Sequence, residues 1–309
     1  LLARFGRLNS QRVNWENHWQ EVADYMMPRK ANITKRRTRG DKRNELIFDS
    51  SPLQALELLA ASLHGMMTNP STPWFTLKFK DAQMDQNDEA KLWLESVTAD
   101  MYTAFNRSNF QQEIFELYHD LITFGTAAMY IEEDDEDLLK FSTKHIAEIF
   151  IAEDDKGRID TVYRKFTLSA RALVQKFGNK VSQNIKVMSE KDPYQDVDIL
   201  HCVYPRADFN PKLKDQENMP FESVYLEMGS GDELSVSGFK EFPYVVPRYL
   251  KASHEIYGRS PAMTALPDVK MLNEMSKTTI KAAQKQVDPP LLVPDDGFLL
   301  PVRTVPGGL

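Results

Sequence analysis

The sequence predicts an α+β fold in which helices come first, a mixed sheet follows and one long helix comes last. Apolar residues recur at helical spacing through most of the first 124 residues. Between residues 127 and 239 the apolar period shortens to two, which is typical of strands. After Gly258 the helical period returns and continues to Val287.

Four helices are predicted before the sheet. The first spans residues 10–27, with Ser10 as its N-cap, and Pro28 ends it. The second begins at Leu53, after a Ser-Ser-Pro start, and reaches Met67. Residues 87–106 and 109–124 are expected to form an antiparallel helical hairpin that Gly125 ends. The apolar stripe of the first helix consists of Trp15, Trp19, Val22 and Met26.

The predicted strands are short and alternate apolar with polar residues. A turn at Asp154-Asp155-Lys156-Gly157 separates two of them, because glycine tolerates the positive φ that tight hairpin turns require. Residues 169–177 interrupt the sheet as a short helix capped by Ser169 and ended by Gly178. The strands are expected at residues 74–80, 127–132, 141–143, 146–152, 159–166, 199–204, 221–228 and 235–239.

The last helix is predicted over residues 260–287, with a kink at Pro267 and a stop at Asp288-Pro289-Pro290. Its weakly apolar stripe suits close packing against neighbouring helices in an assembly better than the core of a monomer. A lysine stripe is either a solvated face or a surface that meets a phosphate backbone or an acidic patch on an adjacent subunit. The packing candidates are Val269, Leu272, Ser276, Ile280, Ala283 and Val287. The lysines are Lys270, Lys277, Lys281 and Lys285.

Composition narrows the class of protein. The chain has 309 residues, 42% hydrophobic and 27% charged, which is typical of a globular protein rather than a disordered one. No apolar run approaches the roughly 20 residues needed to span a bilayer. The net charge of −7 argues against electrostatic binding of nucleic acid by the protein surface as a whole. Because the chain begins with Leu1 and stops after Gly307-Gly308-Leu309, we expect it to be a fragment.

No catalytic, cofactor or metal site is predicted. The six histidines are scattered singly, and no glycine-rich phosphate loop is present, which excludes a motor ATPase. His201 and Cys202 are adjacent in a strand and so face opposite sides. The single cysteine cannot form an intrachain disulfide, which fits a reducing cytoplasm. The acidic run 132–137 is interpreted as a solvated turn, with divalent cation binding as the alternative.

A basic arm over residues 29–43 is the candidate for contact with nucleic acid, because clustered cations bind phosphates without sequence preference. The alternative is a solvated loop or a subunit contact. Asp41 is the one acidic residue in this segment. The eight cations are Arg29, Lys30, Lys35, Arg36, Arg37, Arg39, Lys42 and Arg43.

Several stretches resemble portal proteins of short-tailed, podovirus-type phages, the head-to-tail connector family. Two lie near the end of the chain: YGRSPAMTALPDVKMLNEM (residues 257–275) and QVDPPLLVPDDG (residues 286–297). Two lie upstream: FDSSPLQALELLAASLHGMMTNPSTPWFTL (residues 48–77) and DLITFGTAAMYIEED (residues 120–134). Together they cover nearly the whole chain in the expected order.

The resemblance implies a structural subunit without catalytic activity. Such subunits form a ring, usually of twelve, at one capsid vertex, through which double-stranded DNA is packaged and ejected. The implied partners are the terminase, the tail adaptor, and the capsid and scaffold proteins, with no membrane involved. The implied location is the virion, after synthesis in the host cytoplasm.

By the same resemblance, residues 1–259 form the wing, residues 260–287 the first stem helix and residues 288–309 the start of the clip. The second stem helix, tunnel loop and crown would lie beyond Leu309. The four lysines of the last helix would then face either the channel or the neighbouring subunit. Two other hypotheses remain: a nucleic-acid-binding module that uses the basic arm, and a hydrolase built from distant carboxylates, which no motif supports.

Overall fold

The computed structural model describes residues 1–35, 40–80, 87–213, 215 and 218–287, and it has the predicted α+β architecture. Its helices are α1 (Leu2–Met26), α2 (Ser51–Met67), α3 (Asp88–Arg107), α4 (Phe110–Phe124), α5 (Ala170–Phe177), α6 (Gln183–Lys191) and α7 (Pro261–Val287). Its strands are β1 (Ala128–Asp134), β2 (Leu138–Lys144), β3 (Ile149–Glu153), β4 (Ile159–Ser169), β5 (Asp196–Pro205), β6 (Phe221–Glu227), β7 (Glu233–Phe239) and β8 (Tyr244–Val245).

Helices α1, α2, α4 and α7 form the helical layer around one apolar core. The predicted stripe of α1 is confirmed, because Trp19, Val22 and Met26 are buried there. The Trp19 indole donates a hydrogen bond of 3.0 Å to the Phe124 carbonyl, so α1 is fixed against the end of α4. The first turns of α7 add Met263 and Leu266 to the same core.

Two antiparallel sheets lie beside this layer. The smaller sheet has the order β2-β1-β8, and the larger is a meander in the order β3-β4-β5-β6-β7. The predicted hairpin turn joins β3 to β4, with Gly157 at a φ of +74°. One face of the larger sheet packs on Phe5 and Leu8 of α1, and the other packs partly on α5 and α6.

Arg12 anchors α1 to the larger sheet, although its position on a helix gave no sign of burial. Its guanidinium donates hydrogen bonds to the carbonyls of Ile146, Ala147 and Ile149. The same group lies 3.8 Å from the centroid of the Phe150 ring. A buried arginine is tolerated here because its donors are satisfied and its charge is partnered.

Two glycines bring the end of α4 against the entry to α7. A Cβ at Gly258 would lie 2.3 Å from the Gly125 carbonyl oxygen, so only glycine fits this backbone contact. The Gly258 amide donates to Thr126 Oγ1 at 2.8 Å, and Ser260 Oγ donates to the Thr123 carbonyl at 2.8 Å. The direction of α7 is therefore set by main-chain contacts.

Some local predictions were wrong. Residues 74–80 form no strand; instead the Tyr102 hydroxyl bonds the backbone of Trp74 and Phe75. Ser10 is not an N-cap, because α1 begins at Leu2 and Ser10 Oγ donates to the Arg7 carbonyl inside the helix. Helix α6 was not predicted, and Ile146 belongs to a 3-10 helix rather than to a strand. The cap at Ser169 is confirmed, since its side chain accepts from the Ala172 amide.

Candidate functional site

Helix α7 divides into a packed half and a projecting half. Its first half packs on α1 and α4. It continues through Pro267 as one helix of 27 residues. Residues 278–287 are all exposed. The projecting half is therefore held through the packed half alone within the described residues.

Asn273 fixes the packed half of α7 to the segment just before α2. Its Oδ1 accepts hydrogen bonds from the Phe48 amide at 2.7 Å and the Asp49 amide at 3.3 Å, and its Nδ2 donates to the Leu46 carbonyl at 2.8 Å. Ser276 Oγ lies 3.3 Å from Asp49 Oδ2. These contacts join α7 to residues 46–49, which follow the basic arm.

The predicted packing stripe runs across the boundary between the two halves. Val269 is half-buried against the helical core. Beyond Ser276, the apolar side chains of the stripe are open: Ile280 is 44% exposed and Val287 is 87% exposed. The six stripe positions are half-buried at Val269 and Ser276 and exposed at Leu272, Ile280, Ala283 and Val287.

The lysine stripe divides in the same way. Lys270 Nζ lies 2.5 Å from Glu21 Oε1 of α1. Lys277 Nζ lies 3.0 Å from Glu274 and 5.7 Å from the centroid of the Phe48 ring. Lys281 and Lys285 form no ion pair with any described residue and are exposed. The two lysines on the projecting half are thus the ones available to another molecule.

The described start of the basic arm is folded against acidic side chains. The Arg29 guanidinium donates to both carboxylate oxygens of Glu116, at 3.3 and 2.9 Å. Lys30 Nζ lies 2.5 Å from Glu116 and 2.5 Å from Asp120, and Lys35 Nζ lies 3.3 Å from Asp24.

The remaining cations of the arm are Arg36, Arg37, Arg39, Lys42 and Arg43. Arg43 donates to the Arg29 carbonyl, and Lys42 is exposed. Arg36, Arg37 and Arg39 lie outside the described residues. The arm is thus attached to α4 through its first two cations, Arg29 and Lys30.

A buried acid lies beneath the arm. Burial raises the pKa of Asp120 to about 6, although the Lys30 ammonium works in the opposite direction. The adjacent His119 is also buried, and burial lowers its pKa, while its Nε2 lies 3.2 Å from Glu57. Sequence reasoning missed this cluster because both residues sit on the core-facing side of α4, where charge is unusual.

The other candidate residues lie in separate parts of the fold. His201 and Cys202 are buried on opposite faces of β5, with Cys202 against Phe5 and Leu8. Burial raises the pKa of the Cys202 thiol to about 12. The acidic run divides between β1 and the turn that follows it. In the described ranges, no three His, Cys, Asp or Glu side chains cluster closely enough to hold a metal ion.

None of the described helices is both long enough and apolar enough to cross a membrane. Asn273 is the site residue that sequence reasoning missed on α7. No local pattern marks it, because polar residues also surround it on the helix, and only the fold shows which backbone groups it meets.

Residues 1–309 match the family described as "Bacteriophage head to tail connecting protein". The chain belongs to this family, and the resemblance inferred from the sequence is confirmed. It is 35% identical over 314 residues to the "Probable portal protein" of Bordetella phage BPP-1, an alignment covering 100% of this chain and 57% of that protein.

It is also 34% identical over 313 residues to the "Portal protein" of Salmonella phage epsilon15, covering 99% of this chain and 56% of that protein. The chain thus spans a little more than half the length of these relatives.

Proposed function

We propose that this chain is part of a portal subunit, one of a ring at a single capsid vertex through which double-stranded DNA enters and leaves the head. Membership of the head-to-tail connecting family over the whole chain carries the proposal. The relatives named as portal proteins support it. The projecting half of α7, with its open apolar stripe, is the feature that a ring would bury.

In this proposal residues 1–259 are the wing and residues 260–287 the first stem helix. Residues 288–309, expected to begin the clip, lie outside the described residues. The exposed Ile280, Ala283 and Val287 would pack against stem helices of the same or adjacent subunits, because apolar side chains at three-and-four spacing suit helix packing. Lys281 and Lys285 would then face the channel or a neighbouring subunit.

The net charge of −7 supports a channel that does not bind DNA tightly, because negative charge on the channel wall repels the duplex. The subunit acts as a conduit and docking platform rather than as an enzyme. The proposed partners are the terminase during packaging, the tail adaptor afterwards, and the capsid and scaffold proteins. The proposed location is the portal vertex of the virion, after synthesis in the host cytoplasm.

The alternative, a nucleic-acid-binding module that uses the basic arm, has less support. Arg29, Lys30 and Lys35 each have a carboxylate partner within 3.3 Å. Cations already paired with carboxylates release fewer counterions when they meet phosphates, so these three add little to duplex affinity. The arm's first two cations instead stabilise its attachment to α4.

Native mass measurement and negative-stain imaging of the protein at its full encoded length test the proposal. A ring of about twelve subunits with a central hole is expected from the family resemblance. A monomer at high concentration, both alone and with scaffold protein present, would contradict it.

A further inference from the structure

A pocket of about 490 Å³ lies between the two sheets. The smaller sheet contributes Tyr130 and Lys144, the larger contributes Arg164 and Tyr225, and α5 covers one side with Lys176. This volume is within the range of pockets that hold small ligands, roughly 300 to 1,000 Å³. The pocket belongs to the wing and is separate from both α7 and the basic arm.

Three cations converge on this pocket from three different elements. Lys144 Nζ lies 5.8 Å from the centroid of the Tyr130 ring, and Lys176 Nζ lies 4.6 Å from that of Tyr225. The Arg164 guanidinium lies 4.1 Å from the Phe166 ring centroid. Aromatic faces hold the cations in place without neutralising their charge.

The two acidic side chains that line the pocket, Glu132 and Glu148, each have a cationic partner, which for Glu148 is the pocket's own Arg164. Glu148 accepts a hydrogen bond of 2.8 Å from Arg164 Nε, and Glu132 lies 3.6 Å from Lys140, which is its cross-strand neighbour. Lys144 and Lys176 have no ion pair with any described residue. The half-buried Lys144 ammonium and the exposed Lys176 ammonium thus line the same pocket without a direct ion pair.

Electrostatics agrees with this geometry. Burial, with the nearby Arg164 charge adding to it, lowers the pKa of Lys144 to about 8. Burial also lowers the pKa of Lys176. The pocket floor is His201, stacked on Tyr225 with 4.0 Å between ring centroids, and burial lowers its pKa to about 3, so it adds no charge at neutral pH. Glu148, Glu132 and Glu113 act in the opposite direction on the pKa of Lys144, but burial outweighs them.

We propose that this inter-sheet pocket binds a phosphate group, free or as the monoester of a small molecule such as a nucleotide, through Lys144, Lys176 and the terminal nitrogens of Arg164. Arg164 uses Nε for Glu148, and its other nitrogens have no hydrogen-bond partner among the described residues. A planar guanidinium flanked by two ammonium groups matches the oxygens of a phosphate. The rings of Tyr130 and Tyr225 provide apolar walls for the body of a monoester.

Calorimetric titration at pH 7 in low-salt buffer free of phosphate and sulfate tests the proposal, with AMP, inorganic phosphate and adenosine as probes. AMP is expected to bind and adenosine is not. Binding of inorganic phosphate as tight as that of AMP would identify the free anion as the ligand, whereas tighter binding of AMP would identify the monoester; both support the site. Absence of binding by AMP and phosphate, or equal binding by adenosine, would overturn it. Binding of duplex DNA in place of both small probes would also overturn it.

Variants assign the binding to the pocket. The double variant Lys144→Met with Lys176→Met is expected to weaken AMP binding about tenfold to hundredfold, because each charged hydrogen bond is lost. Lys165→Met is the matched control, since Lys165 neighbours Arg164 on β4 but faces the opposite side of the sheet. Unchanged affinity in the double variant, with thermal unfolding like that of the wild type, would place the ligand elsewhere and overturn the proposal.

A pH series gives a second readout that a misfolded variant would not produce. A bound phosphate raises the Lys144 pKa, so affinity is full below about pH 8 and declines above it. A phosphate monoester keeps its charge above pH 7. The groups that face Lys144 are Arg164, Lys176, Glu113, Glu132, Glu148, Tyr130, Tyr225, Tyr244 and His201.

Burial holds the pKa of Tyr130 above its usual value. Lys144→Arg is expected to bind AMP at pH 7 and to lose most of the decline between pH 7 and 9.5, because arginine stays charged. An equal decline in that variant would overturn the assignment to Lys144.

Discussion

At the scale of single residues, the contact between Gly125 and Gly258 leaves no room for a side chain. Gly258→Ala is expected to lower the free energy of unfolding by about 2 to 3 kcal/mol, because the new Cβ would overlap the Gly125 carbonyl oxygen at 2.3 Å. Urea unfolding followed by circular dichroism measures the change. Gly65→Ala, at an exposed position of α2 with nothing within 4 Å, is the control and should stabilise by about 0.5 to 1 kcal/mol. Equal effects of the two variants would contradict the steric account.

Asp120 gives a prediction with a defined sign in pH. Its folded-state pKa of about 6 lies above the ordinary value of 3.8, so the native state binds the extra proton between those values. The contribution of Asp120 to the stability of the folded state is therefore fully present below about pH 4 and is lost as pH rises through 6. As pH rises from 4 to 8, the free energy of unfolding of Asp120→Asn should therefore increase relative to that of the wild type, by about 1 to 3 kcal/mol.

Thermal unfolding of the two proteins at each pH measures this difference. Asp100→Asn, an exposed substitution on α3, serves as the control for a general effect of charge. A stability difference between Asp120→Asn and the wild type that stays constant from pH 4 to 8 would show that the Lys30 ammonium fully offsets the burial of the carboxylate.

At the scale of elements, the three hydrogen bonds of Asn273 carry the link between α7 and residues 46–49. Asn273→Ala leaves two amides and a carbonyl without their partner and is expected to cost about 1 to 3 kcal/mol. Hydrogen exchange at residues 46–49 should rise selectively. Thr278→Ala, exposed on the same helix, should change neither measurement. A uniform increase in hydrogen exchange across the molecule would instead indicate global destabilisation.

The sequence predicted the elements whose pattern is decided locally. The stripe of α1, the turn before Gly157 and the Ser169 cap depend on neighbours within a few positions, and all three are confirmed. Residues 74–80 alternate like a strand, yet no strand in the described part of the chain pairs with them, and the Tyr102 hydroxyl bonds their backbone instead. Helix α6 is short, and its burial at Ile185 depends on the sheet beneath it.

The candidate site was also predictable only in part, because its limits depend on contacts between residues that are far apart in sequence. The periodicity of α7 gave its apolar and lysine stripes, but a stripe does not show where packing against the rest of the chain stops. That boundary depends on Asn273 and Ser276 meeting a segment more than 200 residues earlier. The inter-sheet pocket is assembled from strands far apart in sequence, and no local pattern marks it.

At the scale of the whole molecule, the projecting half of α7 is the surface that the proposed ring would bury. Ile280→Asp with Val287→Asp should abolish or reduce the oligomer of the full-length protein, since a charge placed in an apolar helix interface is costly. The thermal midpoint of the isolated subunit should not change, because both positions are exposed. Native mass measurement reads the outcome. Leu92→Asp, at a 66% exposed position on α3, is the control.

An oligomer that persists in the double variant would mean that contacts outside the projecting half of α7 hold it together, and attention would then turn to other exposed apolar residues such as Met66 and Tyr194. A loss of folding in the isolated subunit would instead show that the projecting half contributes to the intrachain core.

The anchoring of α7 also has a mechanical consequence. Residues 278–287 extend about 15 Å beyond the last intrachain contacts, since an α-helix rises 1.5 Å per residue. A sideways push on that tip would tilt α7 about the hydrogen bonds of Asn273 and act at the other end of the helix, where Gly258 meets Gly125. Because the two backbones are in direct contact there, and the Thr126 and Ser260 hydroxyls add hydrogen bonds, a displacement of α7 would act directly on the end of α4. Strain at the tip is thereby delivered to α4 and to the strand that follows it.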